Sequence, residues 1–218
     1  VDLIPFTIVD DFFENPNQIR EEALKAEYRS DPNSPGKRAP CSEYVTTLTA
    51  KKIFSLLIDT NKHIVEGSLA ITFQVVTEAM GEGWVHSDAG NVYFAGVIYL
   101  TPNAPIDGGT SLYKPYKNID SVLLNNYGYI KKDFYTHKTK EDDVKSIRKN
   151  NNELFYKTLE VKNVYNRLVM YSGNEFHAAD KFFGSTMEDA RLTLVFFVTH
   201  IASNSIFPLD RMKLVEKK

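Results

Sequence analysis

Residues 83–90, read as GWVHSDAG, put an imidazole and a carboxylate two positions apart, between a tryptophan and a glycine. On a β-strand, positions i and i+2 point to one face, so Trp84, His86 and Asp88 are expected to look the same way. Both side-chain types bind divalent metals. A site of two histidines and one carboxylate needs a further histidine from a distant strand, so that three ligands occupy one face of an octahedron. Of the five histidines, His177 in MYSGNEFHAAD is the best placed, because it follows the apolar run RLVMYSG. His63 falls on a helical pattern upstream of the pair, His137 in a polar stretch, and His200 after the last strong strand. Ordinary surface or core histidines account for those three.

Arg191 heads the run ARLTLVFFV, which is otherwise apolar. An arginine at the head of a buried strand needs an anionic partner, since an unpaired buried charge is costly. Its planar fork suits a carboxylate, and Thr193 shares its face and can donate a further hydrogen bond. A protein carboxylate at the domain edge would serve as well as a ligand, and the sequence leaves both open. In NVYFAGVIYL (91–100) the even positions are continuous core, whereas the odd ones carry Asn91, Tyr93 and Tyr99 with small residues between. Such a face suits a wet or ligand-filled pocket. Two amphipathic tyrosines at a surface would give the same pattern.

The elements that must hold these residues are mostly strands. IPFTIVDDFF (4–13) reads as a strand, and Asn15-Pro16 opens a helix running to about Ala26. SDPNSPGKRAP (30–40) has the composition of a loop. TAKKIFSLLIDTNKHI (49–64) has helical spacing at Ile53, Leu56 and Leu57. Strands are expected over 70–79, GWVHSD, 91–100, TSLYKPY, 163–173 and 190–200, with a turn at 102–109. The polar stretch 118–160, with a helix near 141–158, reads as an insertion and solvated face, or as a lid. Strands following one or two N-terminal helices give an α+β, mainly β fold: a jelly roll with helices packed outside.

With 218 residues the chain is expected to form a single domain with a substantial core, 70–200 supplying the jelly roll. A net charge of −2 gives no general pull toward nucleic acid or anionic membrane, and neither partner is expected. The single cysteine, Cys41, excludes an intrachain disulfide and fits a reducing compartment. Without a secretory pattern or a run of roughly 20 apolar residues, a cytoplasmic protein is expected.

The order HSD, IYL, GGTSLY, NRLVMYSGNEFHAA, RLTLVFFV resembles the Fe(II)/2-oxoglutarate-dependent oxygenases, and within them the prolyl-4-hydroxylase-like branch, in a poorly characterised bacterial and phage-type subgroup. The resemblance covers about residues 70–200 and implies a double-stranded β-helix, cupin-like in outline. It implies Fe(II) held by His86, Asp88 and His177. Arg191 would then pair with the distal carboxylate of 2-oxoglutarate, with Thr193 beside it and Tyr99 hydrogen-bonding the same group. Trp84, Tyr93 and Tyr113 would fall on the substrate side, with Arg38 of the PGKRAP loop as a further contact. The gap from His177 to Arg191 is on the long side, so FFGSTMED must loop out. The implied reaction consumes dioxygen and 2-oxoglutarate, hydroxylates a C–H bond of a small molecule, amino acid or peptidyl residue, and releases succinate and carbon dioxide. Asp88 in place of Gly or Ala leaves no vacancy for a halide, which argues against a halogenase. Two other readings are a cupin-like metal enzyme without 2-oxoglutarate, which would not need Arg191, and a non-catalytic jelly-roll binding module.

Overall fold

The structure, a computed structural model, describes residues 6–31, 34–88, 92–116 and 141–204. Asn91 and the part of the expected insertion from 118 to 140 lie outside them. In chain order the elements are β1 (Phe6–Val9), α1 (Pro16–Lys25), β2 (Arg29–Ser30), β3 (Lys37–Pro40), α2 (Glu43–Leu57), β4 (Val65–Val76), β5 (Phe94–Tyr99) and β6 (Thr110–Pro115). They continue with α3 (Glu141–Asn152), β7 (Phe155–Val161), β8 (Leu168–Ser172), β9 (Phe176–Ala179) and β10 (Arg191–Ser203). Among the described residues the strands form a seven-stranded sheet, β1-β8-β5-β10-β4-β3-β2, and a three-stranded sheet, β7-β6-β9, with every pairing antiparallel.

β10 organises the fold because its residues alternate in character. Leu192, Leu194, Phe196 and Val198 join a core in which α1 supplies Ile19 and Ala23, and α2 supplies Val45, Ile53 and Leu57. Residues at odd positions face the other way. There Val195 packs with Ala95, Val97 and Tyr99 of β5, Val169 and Tyr171 of β8, and Leu112 of β6. The helices therefore cover one face of the large sheet and the small sheet covers the other. This is the double-stranded β-helix with helices outside that the strand pattern and the resemblance imply.

Four local expectations are corrected. Residues 30–40 are not loop throughout: β2 and β3 form a hairpin, turned at Gly36 (φ 69°), that extends the sheet beside β4. Its Pro and Ser content hides the strand because β2 and β3 lie at the sheet margin, where Pro40 is tolerated as a strand end. The second helix runs over Glu43–Leu57 rather than 49–64, since Ser42 caps it by accepting from the Val45 amide, and Ile58 is already extended. α3 stops at Asn152 and gives way to β7, whose five interior residues are all exposed, so no alternation marks the strand. GWVHSD is not a regular strand but joins the small sheet through a single bridge, His86 to His177. Two strand starts or ends also shift. Asp11 (φ 52°) and Asn166 (φ 64°) adopt left-handed backbone, so β1 stops at Val9 and β8 begins only at Leu168.

Candidate metal and cosubstrate site

His86, Asp88 and His177 each offer one ligand atom within 4.8 Å of the other two, and they are the one such cluster among the described residues. The backbone brings them together. His86 and His177 exchange both amide-to-carbonyl bonds, at 3.1 and 2.8 Å, and the Asp88 amide donates to Gly173 O at 2.9 Å. Gly83 anchors the start of this segment by donating to Ala179 O at 3.0 Å, and a Cβ at position 83 would lie 2.5 Å from that oxygen. Glycine is therefore required there for close approach of two backbones.

The imidazoles are set for ligation. His86 Nδ1 lies 2.7 Å from Trp84 O, and His177 Nδ1 lies 3.0 Å from Glu175 O. A carbonyl only accepts, so each Nδ1 carries a proton and each Nε2 presents its lone pair. His86 Nε2 is 3.6 Å from Asp88 Oδ1, and His177 Nε2 is 3.4 Å from Asp88 Oδ2. Lone pairs facing carboxylate oxygens repel unless the rings take second protons or a cation sits among them. Ligand atoms about 2.1 Å from an ion and at right angles lie about 3.0 Å apart, so groups whose ligand atoms lie within 4.8 Å of one another would close in somewhat around a bound ion. The donor set and spacing fit an octahedral divalent cation with open positions.

The three ligands border a cavity of about 260 Å³, whose walls include Trp84, Arg38, Gln74, Tyr171, Phe182 and Arg191. Arg191 is buried at 3% exposure. Its Nε donates to Gly108 O and its Nη2 to Thr110 Oγ1, both at 3.3 Å, and it lies 5.5 Å from the centre of the Tyr99 ring. Among the described residues no carboxylate stands within ion-pair distance of it. Burial pushes its guanidinium pKa down, a measure of how poorly the charge is compensated. Thr193 is fully buried on the same face of β10 as Arg191 and Val195, and its Oγ1 has no hydrogen-bond partner. Tyr99 is also fully buried; its hydroxyl donates to Thr110 Oγ1 at 2.9 Å, and burial raises its pKa. The expected bulge before Arg191 is real. Residues 184–189 loop out around Asp189, whose carboxylate accepts from the Ser185 and Thr186 amides, and β10 re-enters at Arg191.

The remaining expected residues divide. Trp84 and Arg38 line the cavity; Arg38 lies on β3, beside Asp31 at 3.5 Å and over the Phe197 ring. Tyr93 does not reach it and is 55% exposed, because β5 begins only at Phe94. Tyr113 packs instead against the cluster of Val85, Phe155 and Ala178. Several cavity residues escape the sequence reading, among them Gln74, Tyr171, Phe182 and Phe197. Tyr171 is buried with its ring 4.3 Å from that of His177, and burial raises its pKa well above the usual phenol value. Its position in RLVMYS, two after Val169 on the inner face, is the signal that could have found it.

Comparison with known proteins agrees with the fold. Structures of HygX from Streptomyces hygroscopicus are similar: with nickel and 2-oxoglutarate bound, the TM-score is 0.52 at 14% identity, over 90% of this chain and 83% of that one. With nickel, 2-oxoglutarate and hygromycin B bound, it is 0.52 at 11% identity over the same shares. A prolyl hydroxylase from Trichoplax adhaerens, in complex with a hypoxia inducible factor oxygen degradation domain peptide fragment, gives 0.49 at 11% identity, over 89% of this chain and 83% of that one. No curated protein matches the sequence. A family model described as a family of unknown function (DUF6445) matches residues 3–198, so the chain is a member of that family, with a double-stranded β-helix fold.

Proposed function

We propose that this protein is an Fe(II)- and 2-oxoglutarate-dependent dioxygenase that hydroxylates a C–H bond of its substrate. The observation that carries the reading is one cavity bordered both by the His86–Asp88–His177 cluster and by a buried arginine with no carboxylate partner among the described residues. HygX, with the same fold, holds nickel and 2-oxoglutarate in its solved structure.

His86 and His177 would bind the iron through Nε2 and Asp88 through a carboxylate oxygen. The carbonyls of Trp84 and Glu175 keep each ring in the tautomer that allows this. Arg191 would receive the distal carboxylate of 2-oxoglutarate, exchanging two long neutral contacts for a charge-assisted pair. Thr193 supplies a buried hydroxyl beside it, and Tyr99 orients Thr110 against the guanidinium. When bound, iron and 2-oxoglutarate together supply the oxidation of a C–H bond by dioxygen, with loss of carbon dioxide and formation of succinate. Trp84, Phe182 and Phe197 give the cavity apolar walls that limit water, and Arg38 provides a polar contact for substrate. The prolyl-4-hydroxylase-like affinity belongs to this same reading.

The test is aerobic incubation of the purified protein with Fe(II) and 2-oxoglutarate. Slow succinate formation is expected, dependent on iron and absent in His177→Ala. Succinate at the level of that variant would overturn the reading.

A further inference from the structure

The segment that carries His86 and Asp88 has a sheet partner on one side only. β9 and the turn before it take up the amides of Gly83, His86 and Asp88. The other edge is met by side chains at the end of α3. Asn152 spans that edge: its Oδ1 accepts from the Val85 amide at 2.9 Å, and its Nδ2 donates to Gly83 O at 2.9 Å. Asn151, 2% exposed, donates to Val85 O at 3.0 Å and to Asn152 Oδ1 at 3.1 Å. Three backbone groups next to His86 are thus satisfied by two carboxamides, which take the place of a neighbouring strand. Arg148, one turn earlier, donates to Met80 O at 2.7 Å and extends the same contact.

We propose that Asn151 and Asn152 are positioning residues for the metal site, so that docking of α3 and metal binding are coupled. The inference rests on the reading of His86, Asp88 and His177 as metal ligands. The physical argument is geometric. His86 is oriented by Trp84 O and by its backbone bridge to His177, and both depend on the course of Gly83-Trp84-Val85. Releasing the outer edge lets that backbone shift, and the Nε2 atom moves with it. Partners that orient a metal ligand typically change affinity 10- to 100-fold when removed. Coupling is reciprocal, so a bound metal tightens α3 against the segment.

The test is anaerobic titration of the purified protein with Co(II), followed by its visible d–d bands, for wild type, Asn152→Ala, Asn152→Asp and a core control, Ile53→Val. Asn152→Ala is expected to weaken Co(II) binding about 10- to 100-fold. Asn152→Asp, which keeps the acceptor for the Val85 amide, is expected to recover part of the loss. Ile53→Val lowers thermal stability without moving the affinity. In metal-free protein, amide exchange across residues 83–88 is expected to rise in Asn152→Ala. Equal Co(II) affinity in wild type and Asn152→Ala overturns the coupling and leaves the metal site standing. A wild type that binds no Co(II) overturns the metal site and the coupling with it.

Discussion

The two ends of the cavity are built in opposite ways. Arg191 reaches the cavity from β10, a long strand that also carries the buried Thr193 and pairs with β4 along its length and with β5 from Thr193 to Val198. His86 and Asp88 sit on an irregular segment with one β-bridge, its outer edge held by two asparagine side chains. The Arg191 end is therefore part of the core, and moving it means disturbing the centre of the sheet. The His86–Asp88 end, the candidate metal site, is assembled from a margin, where local opening costs less. The difference teaches that a rigid strand can hold a buried guanidinium in place with few partners, whereas side chains that must converge from separate segments depend on caps, bridges and side-chain contacts.

The strongest break of the metal end is His86→Ala or His177→Ala. Each removes one of the three proposed ligands, and each is expected to abolish iron binding, read by titration under anaerobic conditions. Saturable binding at wild-type affinity would take that residue out of the site. At the other end, Arg191→Met should leave iron binding intact but weaken 2-oxoglutarate by about 10- to 150-fold, the equivalent of about 1.5–3 kcal/mol for a charge-assisted contact. Thermal stability of the free protein should hold or rise, because an unpaired buried guanidinium is replaced by an apolar chain. A fall in stability with unchanged 2-oxoglutarate affinity would make Arg191 structural.

A finer cut is Thr193→Val. It removes a buried hydroxyl that has no partner, so the free protein is expected to lose no stability. Affinity for 2-oxoglutarate should fall by about 2- to 10-fold, as one neutral hydrogen bond is worth about 0.5–1.5 kcal/mol. The smallest effects belong to Tyr93→Ala and Tyr113→Phe. Neither residue lines the cavity, and both variants should bind metal and 2-oxoglutarate within about 2-fold of wild type. A large loss in either would mean that the cavity extends further than the described residues show.

Much of this was legible in the sequence where one residue type can serve few purposes. A lone arginine in an apolar strand and an imidazole two residues from a carboxylate carry signals that survive without neighbours. The β10 alternation was legible too, because buried strands repeat every two residues. The β2–β3 hairpin was not, since proline and glycine dominate its composition while its pairing depends on β4. Nor was the second helix start, where Ser42 decides the boundary by capping rather than by hydrophobic pattern. Tyr93 and Tyr99 looked equivalent by periodicity. The structure separates them because β5 starts at Phe94, leaving Tyr93 in solvent and Tyr99 at 0% exposure. Asn151 and Asn152 read as polar surface at the end of a charged helix, since nothing local shows that Gly83 and Val85 lie across from them.

The most direct test of the account is one anaerobic titration. Metal-free protein receives Fe(II), then 2-oxoglutarate, while the visible charge-transfer absorption of an iron–2-oxoglutarate chelate is followed, in wild type and in Arg191→Met. The account predicts that the band grows with 2-oxoglutarate in the wild type and requires far more of it in the variant. Iron binding with no band at saturating 2-oxoglutarate would contradict it, leaving a metal protein of this fold that does not use that cosubstrate.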